Sequence, residues 1–169
     1  MLLVKRNPQA RFMGGVWVFP GGAVDAGDGE LDAHRTAAVR ELREEAGIEI
    51  EDAATLVALS RWITPEMVKT RYDTHFFLAP VPAGQEPTVD GLECVDWGWY
   101  SPEAALTAHA EGELELVFPT IAHLKMLRPF QTADAALAHA RELRVESVLP
   151  KVLLRDGTPT VLLPGDPGY

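Results

Sequence analysis

The sequence predicts an α/β fold, and three observations carry that prediction. Short apolar runs with strand character alternate with helical stretches that bring their own start and stop signals. Pro and Gly interrupt the chain at short intervals, as they do between the elements of a small α/β domain. A chain of 169 residues, 47% hydrophobic and 24% charged, is long and apolar enough for one domain with a sizeable core.

Taken in order, LLVK at the start and VWVF from Val16 read as short strands. GGAVDAGDGELD, from Gly21 to Asp32, is a polar, Gly-rich loop. AHRTAAVRELREEA, Ala33 to Ala46, reads as a helix stopped by Gly47. TLVALSRWI and RYDTHFFLAPV show partial alternation and read as strands, with PAGQEPTVDG a loop and ECVDWGWY a further strand. SPEAALTAHAEG starts a helix with Ser101 as cap and Pro102 in the first turn, and Gly112 follows its end. PTIAHLKML and TADAALAHAREL are further helices, the second capped by Thr132. KVLLRDGTPTVLLP reads as a hairpin around Asp156-Gly157, followed by an irregular Pro/Gly-rich tail. The expected organisation is a main domain over residues 1–128 and a helix-and-hairpin extension over 129–169, packed on the same domain.

The formal net charge of −10 argues against non-specific binding to nucleic acid or to an anionic membrane. It leaves room for a phosphorylated small molecule held through divalent cations. A single cysteine, Cys94, excludes an internal disulfide framework and suits a reducing compartment. No stretch approaches the ~20 apolar residues of a membrane span, and the N-terminal apolar run is short for a signal peptide. A cytoplasmic location is expected.

The stretch VRELREEAGIEI carries the chemistry. At ~100° per residue, Glu41, Glu44 and Glu45 fall within an arc of roughly 100°. Ala38, Val39, Leu42 and Ala46 fill the neighbouring arc, so one side can be buried while the adjacent side presents three carboxylates. Like charges at helical spacing repel, and hard cations such as Mg²⁺ or Mn²⁺ reverse that cost. A solvated face neutralised by Arg40 and Arg43 is the other reading of these residues alone. The preceding FPGG, with Gly21 and Gly22 after a strand, marks a sharp turn or a close backbone approach.

Together these pieces resemble the Nudix box: Gly, five residues, an acid, a spacer, then Arg-Glu-hydrophobic-x-Glu-Glu-x-Gly-hydrophobic. Here the pattern runs from Gly22 to Ile48 and ends in RELREEAGI, which matches at every defined position. The first half departs. Counted from Gly22 the acid is Asp28, an aspartate where the family has glutamate, and the spacer to Arg40 is four residues longer than the family's; counted back from Arg40 the acid is Asp32. The resemblance implies an α/β/α sandwich with a mixed sheet and a loop-helix-loop that holds Mg²⁺ or Mn²⁺. By position it makes Glu44 and Glu45 metal ligands, Glu41 a ligand or the base, and the Gly22 carbonyl another ligand. Arg40 would fix the carboxylate helix by pairing with one of its glutamates. Glu93, after a loop, stands where downstream accessory glutamates occur as ligand or base; Asp90 and Glu86 are weaker candidates.

Upstream, RFMGGVWVFPGG fits Arg-x3-Gly-x3-Phe-Pro-Gly-Gly through Arg11, Gly15, Phe19, Pro20, Gly21 and Gly22. This resembles half of the signature of the coenzyme A diphosphatases. The other half keeps its leucine pair but has Val4, Arg6 and Asn7 at positions of small hydroxyl residues. RWITPEMVKTRYDTHFFLA and DWGWYSPEAAL also look like the acyl-CoA diphosphatase branch. The resemblance covers roughly Leu2 to Leu127 and implies cleavage of coenzyme A or acyl-CoA to 3′,5′-ADP and (acyl-)4′-phosphopantetheine. Other nucleotide diphosphates such as ADP-ribose, or a Nudix-fold sensor without catalysis, are the rivals. Arg11 and Arg71 are the candidates for substrate phosphate, since Arg offers a fork of donors; an ion pair with Asp73 is the alternative for Arg71. Arg6 and Lys5 are candidates for the 3′-phosphate. Cys94 is expected to be an inert strand residue. Nudix domains usually have a strand before the one formed by LLVK, so an open sheet edge, and a homodimer covering it, are expected there.

Overall fold

The first strand, β1 (Leu2–Arg6), buries both of its faces. Leu3 packs with Trp17, Ala105, Leu114, Leu116 and Leu124, while Leu2 and Val4 pack with Ala46, Ile48 and Cys94. Successive strand residues point to opposite sides, so each side of β1 is covered by helix. This explains why LLVK reads as an unbroken apolar run rather than an alternating one.

The architecture is that of a computed structural model, which describes residues 1–155 and 158–169. The chain divides into two units, Met1–Thr55 with Pro80–Ala136 and Leu56–Ala79 with Leu137–Tyr169. In the first, β1 lies between β2 (Trp17–Val18) and β5 (Cys94–Trp99), antiparallel to both. The expected open edge at β1 is therefore not found among the described residues: β1 is the central strand of its sheet. The N-terminal ammonium of Met1 also donates to the Tyr100 carbonyl.

Helix α1 (Ala33–Ala46) matches the sequence expectation at both ends. Gly47 adopts a left-handed conformation (φ 65°) and donates to the Arg43 carbonyl, which closes the helix. A Cβ there would also meet Thr88, whose N–H caps the Ala46 carbonyl. Helices α2 (Pro102–Ala110) and α3 (Phe118–Leu127) cover the Leu3 side through Ala105 and Leu124. The Ser101 hydroxyl accepts the Ala104 N–H at the start of α2, as its sequence position implies.

In the second unit, β3 (Val57–Ile63) pairs antiparallel with β4 (Asp73–Leu78) and parallel with β6 (Ser147–Val148), making this sheet mixed. β6 was not foreseen; two residues are too few for a periodic signal. β7 (Lys151–Arg155) and β8 (Thr158–Leu162) form the expected antiparallel pair, and the Asp156-Gly157 turn lies outside the described residues. Helix α4 (Ala133–Glu142) follows Thr132, whose hydroxyl accepts the Ala135 N–H. Among the described residues no helix is long and apolar enough to cross a membrane.

The fully buried Leu124 is the helix contribution to the Leu3 cluster. Leu124→Ala is expected to cost about 2–5 kcal/mol, read as a lower urea midpoint at unchanged slope. A midpoint equal to the parent's would show that this cluster is not the core.

Candidate active site

The site is built around one guanidinium. Arg40, two turns into α1, donates from Nε to Asp28 Oδ1 (3.0 Å) and from Nη2 to Asp28 Oδ2 (3.0 Å) and the Ala23 carbonyl (2.9 Å). Its Nη1 donates to Glu41 Oε1 (2.8 Å) and Glu44 Oε2 (3.1 Å). Every nitrogen of the guanidinium is engaged. Of the two acids that the sequence left open, Asp28 meets Arg40; Asp32 pairs with Arg35 (2.9 Å). The reason is local. A 3-10 turn at Ala26–Asp28, capped reciprocally by Asp25 and Asp28, turns the Asp28 side chain inward until it is buried. The hydrogen bond from Arg40 holds the Asp28 carboxyl below its usual range. Asp28 in return raises Arg40 further.

The three glutamates are not equivalent. Glu44 is half exposed, Glu41 mostly covered, and Glu45 buried. The sequence reading put all three on an exposed arc; instead Glu45 belongs to the buried side, where Gly21 N–H donates to its Oε2 (2.8 Å). Burial raises its pKa, the Gly21 N–H opposes the rise, and the charge of Glu41 adds to it. Glu41 lies against Gly22 so closely that a Cβ there would fall 2.3 Å from its Oε1. The FPGG glycines thus let the backbone reach both carboxylates.

Glu93 enters from the loop before β5. It lines one cleft of about 300 Å³ together with Arg40, Glu41, Glu44, Glu45 and Asp90. Asp90 anchors this loop by accepting the N–H groups of Glu93 (2.9 Å) and Cys94 (2.9 Å). Burial works against the Asp90 charge, but these N–H groups outweigh it and hold its carboxyl below the usual range. Asn7 fastens the same loop, donating from Nδ2 to the Leu92 carbonyl (2.8 Å). Cys94 is fully buried, and burial pushes its thiol up to about 12, with Glu45 contributing.

The structure therefore brings Arg40, Glu41, Glu44, Glu45 and Glu93 together and sets Gly22 against Glu41. Two other sequence candidates are not among the residues that line this cleft. Arg11 is exposed in the turn between β1 and β2. Arg71 belongs to the other unit, where its Nε donates to the Thr64 carbonyl (2.9 Å). The alternative partner suggested for Arg71, Asp73, is taken by Arg61 (2.8 Å). Arg6, a sequence candidate for the 3′-phosphate, has its Nη1 3.9 Å from Glu45 Oε1, a neighbour that sequence reasoning did not foresee. Its one signal was that it stands at a hydroxyl position of the coenzyme A signature. Among the described residues no group of three or more His, Cys, Asp or Glu is arranged to hold a metal as it stands.

This fold and site define a class. Residues 1–118 match the NUDIX domain family. A crystal structure of a NUDIX hydrolase from Alicyclobacillus acidocaldarius superposes with a TM-score of 0.71 and 28% identity, covering 81% of this chain and 86% of that one. A putative nudix hydrolase 7 from Caenorhabditis elegans is 27% identical over 206 aligned positions, covering 100% of this chain and 69% of the relative. The chain belongs to the NUDIX family and is a Nudix diphosphatase with that family's α/β fold.

Two outcomes follow from this geometry. The Asp28 pKa is lowered in the native state, so its contribution is present above the ordinary aspartate value of about 3.9 and lost as pH falls through the native value. Asp28→Asn should start from a lower melting temperature at pH 7 and lose less between about pH 4 and pH 2; parallel acid limbs would contradict the pairing. Gly22 needs no left-handed angles, and the three atoms nearest to a Cβ there all belong to the Glu41 carboxyl. Gly22→Ala should cost about 1 kcal/mol or less in stability and about 100-fold in hydrolysis. Undiminished turnover would show that the close approach has no catalytic purpose.

Proposed function

We propose that this enzyme hydrolyses the diphosphate of coenzyme A or an acyl-CoA with Mg²⁺ or Mn²⁺, releasing 3′,5′-ADP and (acyl-)4′-phosphopantetheine. One observation carries the metal requirement. The cleft is lined by Glu41, Glu44, Glu45, Asp90 and Glu93, and its one arginine is already committed to carboxylates. Two like charges about 4 Å apart repel by about 4 kcal/mol even at an effective dielectric of about 20. A diphosphate cannot enter such a cleft unaided.

The donor set fits hard divalent ions, being all oxygen and concentrated on one helix face. Glu41 and Glu44 would have to exchange Arg40 for the ion, a change confined to side chains. When bound, the ions neutralise the diphosphate and lower the pKa of water. Glu44, Glu45 and the Gly22 carbonyl are the proposed ligands. Glu41 is a ligand or the base that takes the proton from water, and Glu93 a further ligand or base. Arg40 fixes the orientation of the helix carboxylates. Arg11 and Arg71 are the proposed phosphate contacts.

The substrate reading rests on the Arg11-to-Gly22 signature, and two of its residues, Gly21 and Gly22, touch the site's carboxylates. A second reading has its own support. Val4, Arg6 and Asn7, at the altered positions, are occupied inside the fold: Val4 is fully buried, Arg6 faces Glu45 and Asn7 ties down the Glu93 loop. That favours another nucleotide diphosphate, such as ADP-ribose.

The test is a product assay with Mg²⁺ or Mn²⁺ on coenzyme A, acetyl-CoA, a longer acyl-CoA, ADP-ribose, NADH and a diadenosine polyphosphate, resolved by mass. The expected result is fastest release of 3′,5′-ADP, abolished by Glu45→Gln without loss of fold. Dominant AMP from ADP-ribose or NADH would move the assignment to the second reading. Full activity of Glu45→Gln would refute the ligand set, and no cleavage of any compound would leave a nucleotide sensor.

A further inference from the structure

Glu45 is the most deeply buried carboxylate of the helix trio, and three separate elements converge on it. The loop after β2 supplies the Gly21 N–H to Oε2 (2.8 Å). Strand β5 brings the fully buried Cys94 against the end of α1, where thiol and carboxylate act on each other's charge. Strand β1 supplies Arg6, with Nη1 3.9 Å from Oε1. Arg6 and Cys94 are register partners across β1 and β5, and the register shifts next to this pair because β5 carries an extra residue, Val95, between Cys94 and Asp96. Arg6 is the last residue of β1 and is directed at the carboxylate helix.

The form of this pair separates it from a stabilising ion pair. A separation of 3.9 Å is too long for a hydrogen bond. The Arg6 Nε is sealed from solvent and has no hydrogen-bond partner among the described residues. Burying a charge pair without closing its hydrogen bonds is a poor source of stability. The guanidinium that lines the cleft, Arg40, has all its nitrogens on Asp28, Ala23, Glu41 and Glu44. The cation that answers Glu45 is thus Arg6, from outside the acidic helix.

We propose that Arg6 is a positioning residue that holds the Glu45 carboxylate, together with Gly21 and Cys94, in the orientation presented to the cleft. This rests on the reading of Glu45 as a metal ligand. The small hydroxyl residue of the coenzyme A signature could not serve here, because its side chain is too short to carry a charge to the helix. The device belongs to this chain's departure from that signature.

The experiment is Mn²⁺ binding, followed by calorimetry or by the spectrum of the free ion, on the full chain and four variants: Arg6→Met, Arg6→Lys, Glu45→Gln and the Arg6→Met/Glu45→Gln double variant. Loss of an outer-shell partner weakens metal binding by about 10–100-fold, and that is the expectation for Arg6→Met, with Arg6→Lys intermediate. At saturating Mn²⁺ kcat should fall while KM stays within about twofold. Adding Arg6→Met to Glu45→Gln should change nothing further, because the two act as a unit. If Arg6→Met does not fold, Arg6→Lys against Glu45→Gln carries the same comparison. Parental Mn²⁺ affinity in Arg6→Met, a loss additive with Glu45→Gln, or a raised KM at constant kcat would each overturn the proposal. Parental affinity in Glu45→Gln would instead remove the ligand reading on which it stands.

Discussion

Crowding carboxylates into one cleft is unfavourable unless something answers their charge, and the guanidinium of Arg40 is the first answer in this protein. Its fork joins three pieces of chain: the buried Asp28 of the 3-10 turn, the Ala23 carbonyl of the loop, and Glu41 and Glu44 of its own helix. A lysine would offer a point charge; the planar fork reaches all of them at once. The loop from Gly21 to Asp32 has few apolar residues to bury, and this network gives it a defined path over the helix.

The second constraint is the central strand. Because β1 is covered on both faces, its side chains reach two environments. Leu3 faces the α2–α3 side, while Leu2 and Val4 face the end of α1. The strand's last residue, Arg6, stands where the apolar core gives way to the acidic cleft. The same sheet sets Cys94 beside it through the β1–β5 register. The protein thus uses one strand both to organise the core and to bring a cation to a carboxylate that burial would otherwise disfavour.

Much of the fold was readable because its signals are local. The α1 helix ends where Gly47 says it does, and Ser101 and Thr132 cap where their positions imply. The site was readable as far as it lies on one helix: RELREEAGI places its own glutamates. What escaped were the contacts between distant segments. Glu45 was counted with the exposed carboxylates because helical periodicity gives an angle and not a neighbour. β6 escaped because two residues carry no period. The open edge at β1 was inferred from family pattern, whereas pairing on both sides is a property of the sheet.

By itself, the sequence determined the α/β class, the limits of the carboxylate helix and the types of residue that make its chemistry, since these depend on spacing and on caps within a few residues. Tertiary structure decided which acid meets Arg40. Asp28 and Asp32 were equal candidates on spacing, and only the inward turn of the loop separates them. It also decided that Glu45 is buried and faces Arg6. Those choices depend on through-space distances between charges carried by different elements, and Coulomb energy and desolvation respond to distance and burial, which the order of residues along the chain does not specify.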